Sequence, residues 1–287
     1  MKPISHYYQL NRWRRIFQLG SIAFMIAVPL LNLYGIHWIY GNFYSMTIAG
    51  LTISDPLMAL QTLIIGVVFQ ATLLFSILIP VLIAMIFGRV FCSWICPHNT
   101  LAETIHTCAS RLIPNSRFKR YPKPGDLKAR NPNALSTWII GAFWVVILYL
   151  MGFPLFLYLS PPGMLSNQIS LFIFEHRLGF ELTLVGSILL LEGITMTRFF
   201  CSRICPVGLC LGLFKTPRSM AVHFEPQGCG CNQSRDQGFE PCFQACPLNL
   251  APKKRNLYPH CHHCGLCLKA CESTGHQALQ FRFKNPD

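Results

Sequence analysis

The chain has few charged residues, and acidic residues are the scarcest of them. Only 12% of its 287 residues are charged, and the 24 basic side chains outnumber the 11 acidic ones. A soluble domain usually carries about 25% charged residues. The deficit excludes an ordinary water-soluble domain and indicates that lipid is the solvent for much of the chain.

Basic residues are nearly absent from two connecting segments. The segment His37–Pro56 has no Lys or Arg, and the segment after the third apolar run has only Arg177. The other basic residues precede the first run, lie in the central loop or follow the fourth run. The positive-inside rule then places both chain ends and the central loop in the cytoplasm. The net charge of +13 therefore needs no nucleic acid partner, because topology and anionic lipids account for it.

Apolar residues, which make up 52% of the chain, are concentrated in four runs. Each run reaches the roughly 20 residues that an α-helix needs to cross a bilayer. Helices are expected because backbone groups in lipid must be hydrogen-bonded internally. The first run lacks a signal-peptide cleavage site, so we expect it to remain as an anchor. The predicted membrane helices are Ile16–Ile36, Leu57–Phe87, Thr137–Leu159 and Phe180–Phe199.

Two near-copies of one heptapeptide follow the second and fourth runs. Phe91–Pro97 reads FCSWICP and Phe200–Pro206 reads FCSRICP, at an offset of 109 residues. The two-helix unit is thus repeated in parallel, as in proteins whose halves pack about an axis along the membrane normal. The proline that ends each copy suits the first position of a new helix. The four thiols match the ligand number of an iron–sulfur cluster; they are Cys92, Cys96, Cys201 and Cys205.

The C-terminal region has the cysteine spacing of a bacterial ferredoxin. The run C-x2-C-x2-C-x3-C at residues 261–271 is typical of a 4Fe-4S site whose fourth cysteine binds a second cluster. The upstream run at residues 229–246 is less regular, because C-x-C and a ten-residue spacing replace its usual start. Two 4Fe-4S clusters are predicted. One set of ligands is Cys261, Cys264, Cys267 and Cys246, and the other is Cys229, Cys231, Cys242 and Cys271.

Each cysteine group also has a less specific interpretation. The C-x3-C pairs could pack as small apolar residues or carry out thiol chemistry. Cys108 and Cys210 have no counterpart in the other repeat, so we expect them to be structural. Zinc sites usually have two separated C-x2-C pairs, which the run at 261–271 does not resemble. Disulfides are rare in a cytoplasmic setting, which favours metal binding for the tail.

Taken together, these motifs resemble NapH, the membrane-bound ferredoxin-type quinol dehydrogenase subunit of periplasmic nitrate reductase systems, and its MauN-like relatives. A loop signature at Gly41–Ser45 and Ser54–Gln61 strengthens the resemblance, which covers almost the whole chain. It implies a multi-pass protein of the bacterial inner membrane that oxidises menaquinol or ubiquinol. The electrons would pass to a periplasmic ferredoxin-type subunit and finally to a terminal reductase. The irregular run at 229–246 departs from the family pattern.

The expected architecture is an α-helical membrane protein with four transmembrane helices in two parallel repeats, followed by a ferredoxin-like α+β iron–sulfur domain. An N-terminal cytoplasmic arm precedes the repeats, and a basic cytoplasmic loop separates them. The predicted divisions are residues 1–15 for the arm, 16–97 for the first repeat, 98–136 for the loop, 137–206 for the second repeat and 207–287 for the iron–sulfur domain.

Three ionisable residues are candidates for the proton chemistry of quinol oxidation. His37 and Asp55 lie in the polar loop between the first two runs, where either could accept a proton. Glu192 lies within the fourth run, where an ionisable group is costly and therefore a functional candidate. The alternatives are a helix-capping role for Asp55 and an ion pair of Glu192 with Arg198 or Arg89.

Two other functions remain open from the sequence. One is a membrane ferredoxin that supplies electrons for the maturation or assembly of another redox enzyme. The other is a redox-sensing docking protein. The loop signature around Asp55 favours quinol oxidation, because a maturation factor has less need of it.

Overall fold

A computed structural model describes residues 6–35, 37–65, 71–112, 134–152, 154–195, 198–216, 218–229, 241–253, 257–275 and 277–283. The helices are α1 (His6–Leu33), α2 (Pro56–Ile64), α3 (Ala71–Phe87), α4 (Val90–Trp94), α5 (Pro97–Leu112), α6 (Ala134–Met151), α7 (Pro161–Glu175), α8 (Phe180–Thr195), α9 (Pro206–Leu213), α10 (Pro241–Gln244) and α11 (Leu266–Ser273). The strands are β1 (Ile39–Gly41), β2 (Ser45–Ile48), β3 (Leu51–Ser54), β4 (Ala221–Phe224) and β5 (Leu279–Arg282).

Two helices in the described part of the chain are long and apolar enough to cross a membrane. They are Tyr7–Leu33 within α1 and Ala134–Met151, which is α6; the apolar segment Thr72–Phe87 of α3 is shorter. Large apolar side chains such as Phe75 and Leu150 point outward from these helices, as expected of a surface that contacts lipid. Membrane association is therefore consistent with the structure, but the prediction of four transmembrane helices is not confirmed.

The second predicted run is not one helix. Its residues are divided between α2 and α3, which pack against each other. The reason is a polar side chain inside α2: Gln61 is buried, and its Oε1 accepts a hydrogen bond from Phe156 N at 3.0 Å. A buried amide needs such a partner, and it has one here because α2 packs against α6 and α9.

The third predicted run is also shorter than expected, and an additional helix follows it. Helix α6 ends at Met151, a short 3₁₀ turn covers Leu155–Tyr158, and α7 follows in a segment predicted as a loop. Helix α7 packs against α1 and α8. Its polar residues obscured it in the sequence, but they have partners within the protein. Gln168, for example, contacts Glu181 at 2.9 Å and accepts a hydrogen bond from Gly179 N at 2.7 Å.

The loop between the first two runs forms a three-stranded antiparallel meander, β1–β2–β3. Ala49 and Gly50 have φ values of 48° and 86°, as the two central residues of a tight hairpin turn require. Asp55 then caps α2, because Leu57 N donates to its Oδ1 at 3.0 Å. The helix-capping role expected for Asp55 is present, and the meander carries this carboxyl group into the interior.

The C-terminal region combines the small sheet β4–β5 with α10 and α11. Strands β4 and β5 pair antiparallel, from Ala221 with Arg282 to Phe224 with Leu279. Their apolar core includes several cysteines together with Leu268 and Leu279. This mixture of helix and strand fits the expected ferredoxin-like α+β domain. The domain packs on the first helix, where Tyr7 N donates to Glu272 Oε2 at 3.1 Å.

A buried ion pair joins α1 to α5. Arg14 is fully buried, and its two terminal nitrogens lie 2.7 and 3.0 Å from the two carboxylate oxygens of Glu103. Gln18 donates a further hydrogen bond to Glu103 at 3.3 Å. Removing one partner of a buried ion pair is costly, because the other charge remains in the interior.

We expect R14M to lower the free energy of unfolding by about 3–5 kcal/mol, because it leaves the Glu103 carboxylate without its cation. R15M is the matched control, since Arg15 is 59% exposed and lies 3.8 Å from Glu103; its effect should stay within about 1 kcal/mol. Denaturant unfolding of the purified protein in detergent micelles measures both. Equal losses in the two variants would contradict the assignment.

Candidate metal centres

The four thiols of the two C-x3-C-P motifs lie in one place, which we call the membrane-edge site. Its members are Cys92, Cys96, Cys201 and Cys205. Cys96 interacts electrostatically with Cys92 and Cys205, and Cys201 interacts with Cys205 and Cys96. Burial, followed by the nearby Cys92 thiol, raises the pKa of Cys205 to about 12. The predicted pseudo-symmetry therefore brings the two motifs together.

Both motifs end at the beginning of a new helix, as their prolines predict. Helix α5 begins at Pro97 and α9 begins at Pro206. Backbone N–H groups in the first turn of each helix point at the preceding sulfur. The backbone N–H groups of His98 and Asn99 point at Cys96 Sγ, and those of Val207 and Gly208 point at Cys205 Sγ. Amides at a helix N-terminus stabilise a thiolate, so this donor set fits a cluster bound by cysteines.

Two buried arginines extend the repeat beyond the heptapeptide. Arg89 and Arg198 each stand three residues before the first cysteine of a motif, a signal that could have been found in the sequence. Arg89 reaches the other copy, where its Nη2 donates to Cys201 O at 3.1 Å. Arg198 does the same in the opposite direction and donates to the Asn99 side chain in α5. The two copies are thus joined by reciprocal contacts.

The absence of a side chain at Gly208 makes room for Arg89. A Cβ atom at Gly208 would lie 2.0 Å from Arg89 Nη2, so the guanidinium occupies that space. Gly208 and Asn99 stand at the same offset of 109 residues as the two arginines. The pairs Arg89–Gly208 and Arg198–Asn99 are therefore equivalent in the two halves.

The ligands predicted for the first tail cluster also lie together. Cys267 interacts electrostatically with Cys264, Cys246 and Cys261, and Cys246 interacts with Cys264 and Cys261. Backbone N–H groups point at these sulfurs too, including Leu250 N, which lies 3.4 Å from Cys246 Sγ. This set of thiols and donors fits a 4Fe-4S cluster.

The second tail set is partly described. Cys229, Cys242 and Cys271 share one apolar cluster with Leu268 and Leu279. Cys231 lies outside the described residues. No disulfide joins any two of the thirteen cysteines that the structure describes. Of the two expected structural thiols, Cys210 is buried and Cys108 is exposed.

One segment of the iron–sulfur domain lies against both heptapeptide motifs. Ser93 Oγ, in the first motif, donates to His262 O at 2.6 Å. Ser202 O, in the second motif, is 3.2 Å from His260 Nδ1. Arg89 Nη1 also donates to Pro259 O at 2.6 Å. This segment, which ends in the tail ligands, connects the membrane-edge site to the first tail site.

The three candidates for quinol chemistry lie in three different surroundings. His37 is exposed, and its Nδ1 lies 3.2 Å from Asn32 Oδ1. Glu192 belongs to the membrane-edge site, because its Oε1 accepts a hydrogen bond from Phe200 N at 3.0 Å. Asp55 lines an internal cavity. The structure therefore does not bring the three together.

The cavity that contains Asp55 has a volume of about 650 Å³ and is largely apolar. Helices α1, α3 and α7 and the meander surround it. Asp55, Ser54 and Asn42 supply polar atoms, and Val90, Phe91 and Ile95 beside the first cysteine motif form another part of the wall. Burial raises the pKa of Asp55 to about 6, although the hydrogen bond from Leu57 N partly offsets this.

Comparison with known proteins finds one family model and several relatives that match parts or most of the chain. A family described as a 4Fe-4S binding domain matches residues 69–116 and 179–219, which contain the two C-x3-C-P motifs. The methylamine utilization ferredoxin-type protein MauN of Methylorubrum extorquens is 28% identical over 82% of this chain and 75% of its own length. The ferredoxin-type protein NapH of Escherichia coli is 24% identical over 92% and 88%. The chain is a homologue of the MauN and NapH ferredoxin-type proteins.

These matches confirm the resemblance inferred from the motifs: over most of its length the chain is similar to proteins named as ferredoxin-type, and two of its segments match a 4Fe-4S binding domain. The putative electron transport protein YccM of Escherichia coli is also similar, with 22% identity over 99% of this chain and 79% of its own length. No solved structure matches the chain. The family match to both C-x3-C-P motifs favours a metal centre there over simple packing.

We predict that C264S and C246S remove the same cluster. Each should lower the iron content of anaerobically purified protein by about four atoms per chain, since both sulfurs belong to one 4Fe-4S site. Iron analysis and EPR of the reduced protein measure the loss. C271S is the comparison, because it should abolish a different EPR signal. The assignment is wrong if C271S abolishes the signal that C264S abolishes.

We also predict that G208A destabilises the protein by about 1–3 kcal/mol, because the new methyl group displaces the buried Arg89 guanidinium. G212A in the same helix is the control, since its Cβ would meet Pro259 at an ordinary 3.7 Å. Alanine favours a helix over glycine, so G212A should be neutral or stabilising. Thermal unfolding in micelles separates the two, and a neutral G208A would contradict the crowding.

Proposed function

We propose that this protein is a membrane-bound quinol dehydrogenase subunit. It oxidises menaquinol or ubiquinol and passes the electrons, through its iron–sulfur centres, towards a periplasmic ferredoxin-type subunit and a terminal reductase. One observation carries the proposal: one apolar cavity is lined both by the half-buried carboxyl group of Asp55 and by residues next to Cys92 and Cys96.

The cavity suits the head of a quinol. Its volume of about 650 Å³ lies within the range of roughly 300–1,000 Å³ that small-molecule sites occupy. Apolar residues form most of the wall, and a few polar atoms converge in it, as such sites require. Because α1 and α3 border the cavity and expose apolar side chains outward, a lipid-soluble substrate can approach from the bilayer.

Asp55 is the proposed proton acceptor. Oxidation of a quinol to a quinone releases two protons and two electrons in two one-electron steps, so one carboxylate can accept both protons in turn, provided that it passes the first to solvent before it takes the second. The Asp55 pKa of about 6 is close to the operating pH, which is the most effective range for a general base. Its Oδ1 accepts a hydrogen bond from Leu57 N, which fixes the orientation of the carboxylate. His37, outside the cavity, has no direct contact with this group.

The route for the electrons begins at the cavity wall. Val90, Phe91 and Ile95 line the cavity. Cys92 and Cys96 directly follow Phe91 and Ile95 in the sequence. An iron–sulfur cluster at the membrane-edge site would supply a one-electron acceptor there. The segment from Pro259 to His263 then contacts both motifs and leads into the first tail site. The cavity therefore adjoins the membrane-edge site, and that site adjoins the first tail site.

A second candidate is a membrane ferredoxin that supports maturation or assembly of another redox enzyme. Three MauN proteins are among the relatives, and their name describes a ferredoxin-type protein of methylamine utilization without mention of a quinol. The second of these, from Paracoccus denitrificans, is 29% identical over 83% of this chain. The two candidates differ in one respect: only the first requires quinol to reduce the centres directly.

We predict that D55N lowers the rate at which a reduced quinol analogue reduces the iron–sulfur centres by about 100-fold or more, because the amide cannot accept a proton. E175Q, which alters an exposed carboxylate at the end of α7, is the control and should keep the full rate. Stopped-flow absorbance and EPR on anaerobic protein follow the reduction, and dithionite reduction should be unchanged in both variants.

The pH dependence follows from the same group. The carboxylate form of Asp55 becomes dominant above its pKa of about 6, so the rate should reach a plateau above that pH and fall about tenfold per unit well below it. This limb should be absent in D55N. If D55N reacts with quinol at the wild-type rate, the proposed site is wrong; if no centre of the wild-type protein is reduced, the second candidate gains support.

A further inference from the structure

The two halves of the membrane-edge site are not equivalent. The arginines, phenylalanines, serines and prolines of the two motifs correspond at the offset of 109 residues, but two neighbours of the second motif do not. His98 corresponds to Val207, and Glu192 corresponds to Ile83. Polar groups with the chemistry of metal ligands therefore stand on one side of the pseudo-symmetry axis and apolar groups on the other.

Both of these groups meet at Cys201. His98 Nδ1 lies 3.4 Å from Cys201 Sγ. One ligand atom each from His98, Glu192 and Cys201 lie within 4.8 Å of one another. Sulfur and nitrogen ligands of one tetrahedral ion stand about 3.5 Å apart, given metal distances of about 2.3 and 2.0 Å. The observed separation therefore matches two ligands of one ion.

The free atoms of His98 and Glu192 also call for a ligand. His98 is fully buried and Glu192 is 7% exposed. Among the described residues, His98 Nε2 and Glu192 Oε2 have no hydrogen-bond partner. A buried polar atom without a partner costs about 1–3 kcal/mol, and these are two of nine such side-chain atoms among the described residues. A metal ion bound by His98 Nδ1, the nitrogen that faces Cys201, and by Glu192 Oε2 would give this carboxylate oxygen a partner, whereas His98 Nε2 is the other ring nitrogen.

The remaining contacts leave the ligand atoms available. Glu192 Oε1 accepts hydrogen bonds from Phe200 N and Cys201 N, which orients the carboxylate while Oε2 stays open. Arg198 donates to Asn99 rather than occupying Glu192 in an ion pair. The backbone of the second motif thus holds the carboxylate next to its first cysteine.

We propose that the membrane-edge centre is not an all-cysteine site: His98 and Glu192 bind the same metal ion as Cys201. The ion belongs to the class of divalent first-row metals that accept nitrogen, oxygen and sulfur ligands together, with iron as the first choice. The inference rests on the proposed function only in taking this site as a metal centre. Where that iron belongs to a cluster, replacing thiolate by histidine would raise the reduction potential of the cluster.

Mössbauer spectroscopy of 57Fe-enriched, anaerobically purified full-length protein tests the proposal, because it detects iron in every spin state. The wild type should show one iron per chain with nitrogen and oxygen ligands, distinct from the sulfur-ligated irons of the tail. H98A and E192Q should lose that signal. H106A, two turns further along the same helix, and E175Q should keep it.

H98C is the conservative variant that keeps the test valid if H98A fails to fold. H98C should retain the metal but convert its signature to that of sulfur ligation, and tail-cluster EPR shows that the fold is intact. Elemental analysis of the same samples detects metals other than iron. A stoichiometric metal that is lost in H98A also supports the site. The proposal is overturned if all iron in the wild type is sulfur-ligated and no other metal is lost in H98A, or if H98A and H98C leave every metal signal unchanged. Either result leaves quinol reduction, measured separately, unaffected.

Discussion

The buried guanidinium of Arg89 is the contact on which the arrangement of the centres depends. Arg89 stands just before the first motif, and its guanidinium donates to the Cys201 carbonyl of the second motif and to the Pro259 carbonyl of the iron–sulfur domain. A buried charge is tolerated only when its partners are in place. The three parts of the chain must therefore assemble together, and the glycine at position 208 leaves the space that this requires. The reciprocal contact of Arg198 with Asn99 stabilises the other half.

This arrangement explains how an apolar protein can stabilise many thiolates. Burial raises the pKa of these cysteines, as it does for Cys205 and Cys261, so ionised sulfur needs compensation. Backbone N–H groups at the beginnings of α5 and α9 supply part of it, and the two arginines supply positive charge nearby. A cluster replaces the proton with iron and makes the ionised state permanent. The site is therefore built for a bound metal more than for reactive thiols.

The cavity and the centres share walls. Residues of the first motif line the cavity on one side and bind the histidine segment of the tail on the other. The cavity, the membrane-edge site and the first tail site are therefore neighbours. His98 and Glu192 lie near Cys201, whereas the corresponding residues of the other copy, Val207 and Ile83, are apolar. The membrane-edge site is therefore not symmetric. Pseudo-symmetric repeats supply the scaffold, and a few substitutions in one copy supply the chemical difference.

Much of the site could be predicted from the sequence, because metal ligands and their spacing are local properties. The motifs at Phe91–Pro97 and Phe200–Pro206 indicated new helices at both prolines, and the tail run indicated which four cysteines lie together. Hydropathy was less reliable. It merged α2 with α3 and missed α7, since it counts apolar residues without showing that Gln61 or Gln168 has a hydrogen-bond partner inside the protein.

By itself, the sequence determined the class of chemistry: many soft ligands beside apolar helices, repeated once. Only the tertiary structure decided where the three ionisable candidates belong. Asp55 faces a cavity, Glu192 faces a thiol and His37 faces solvent, although all three have the same chemical capacity to take up a proton. The physical reason is that burial and neighbours, which arise from distant parts of the chain, set the protonation and ligand binding of such groups.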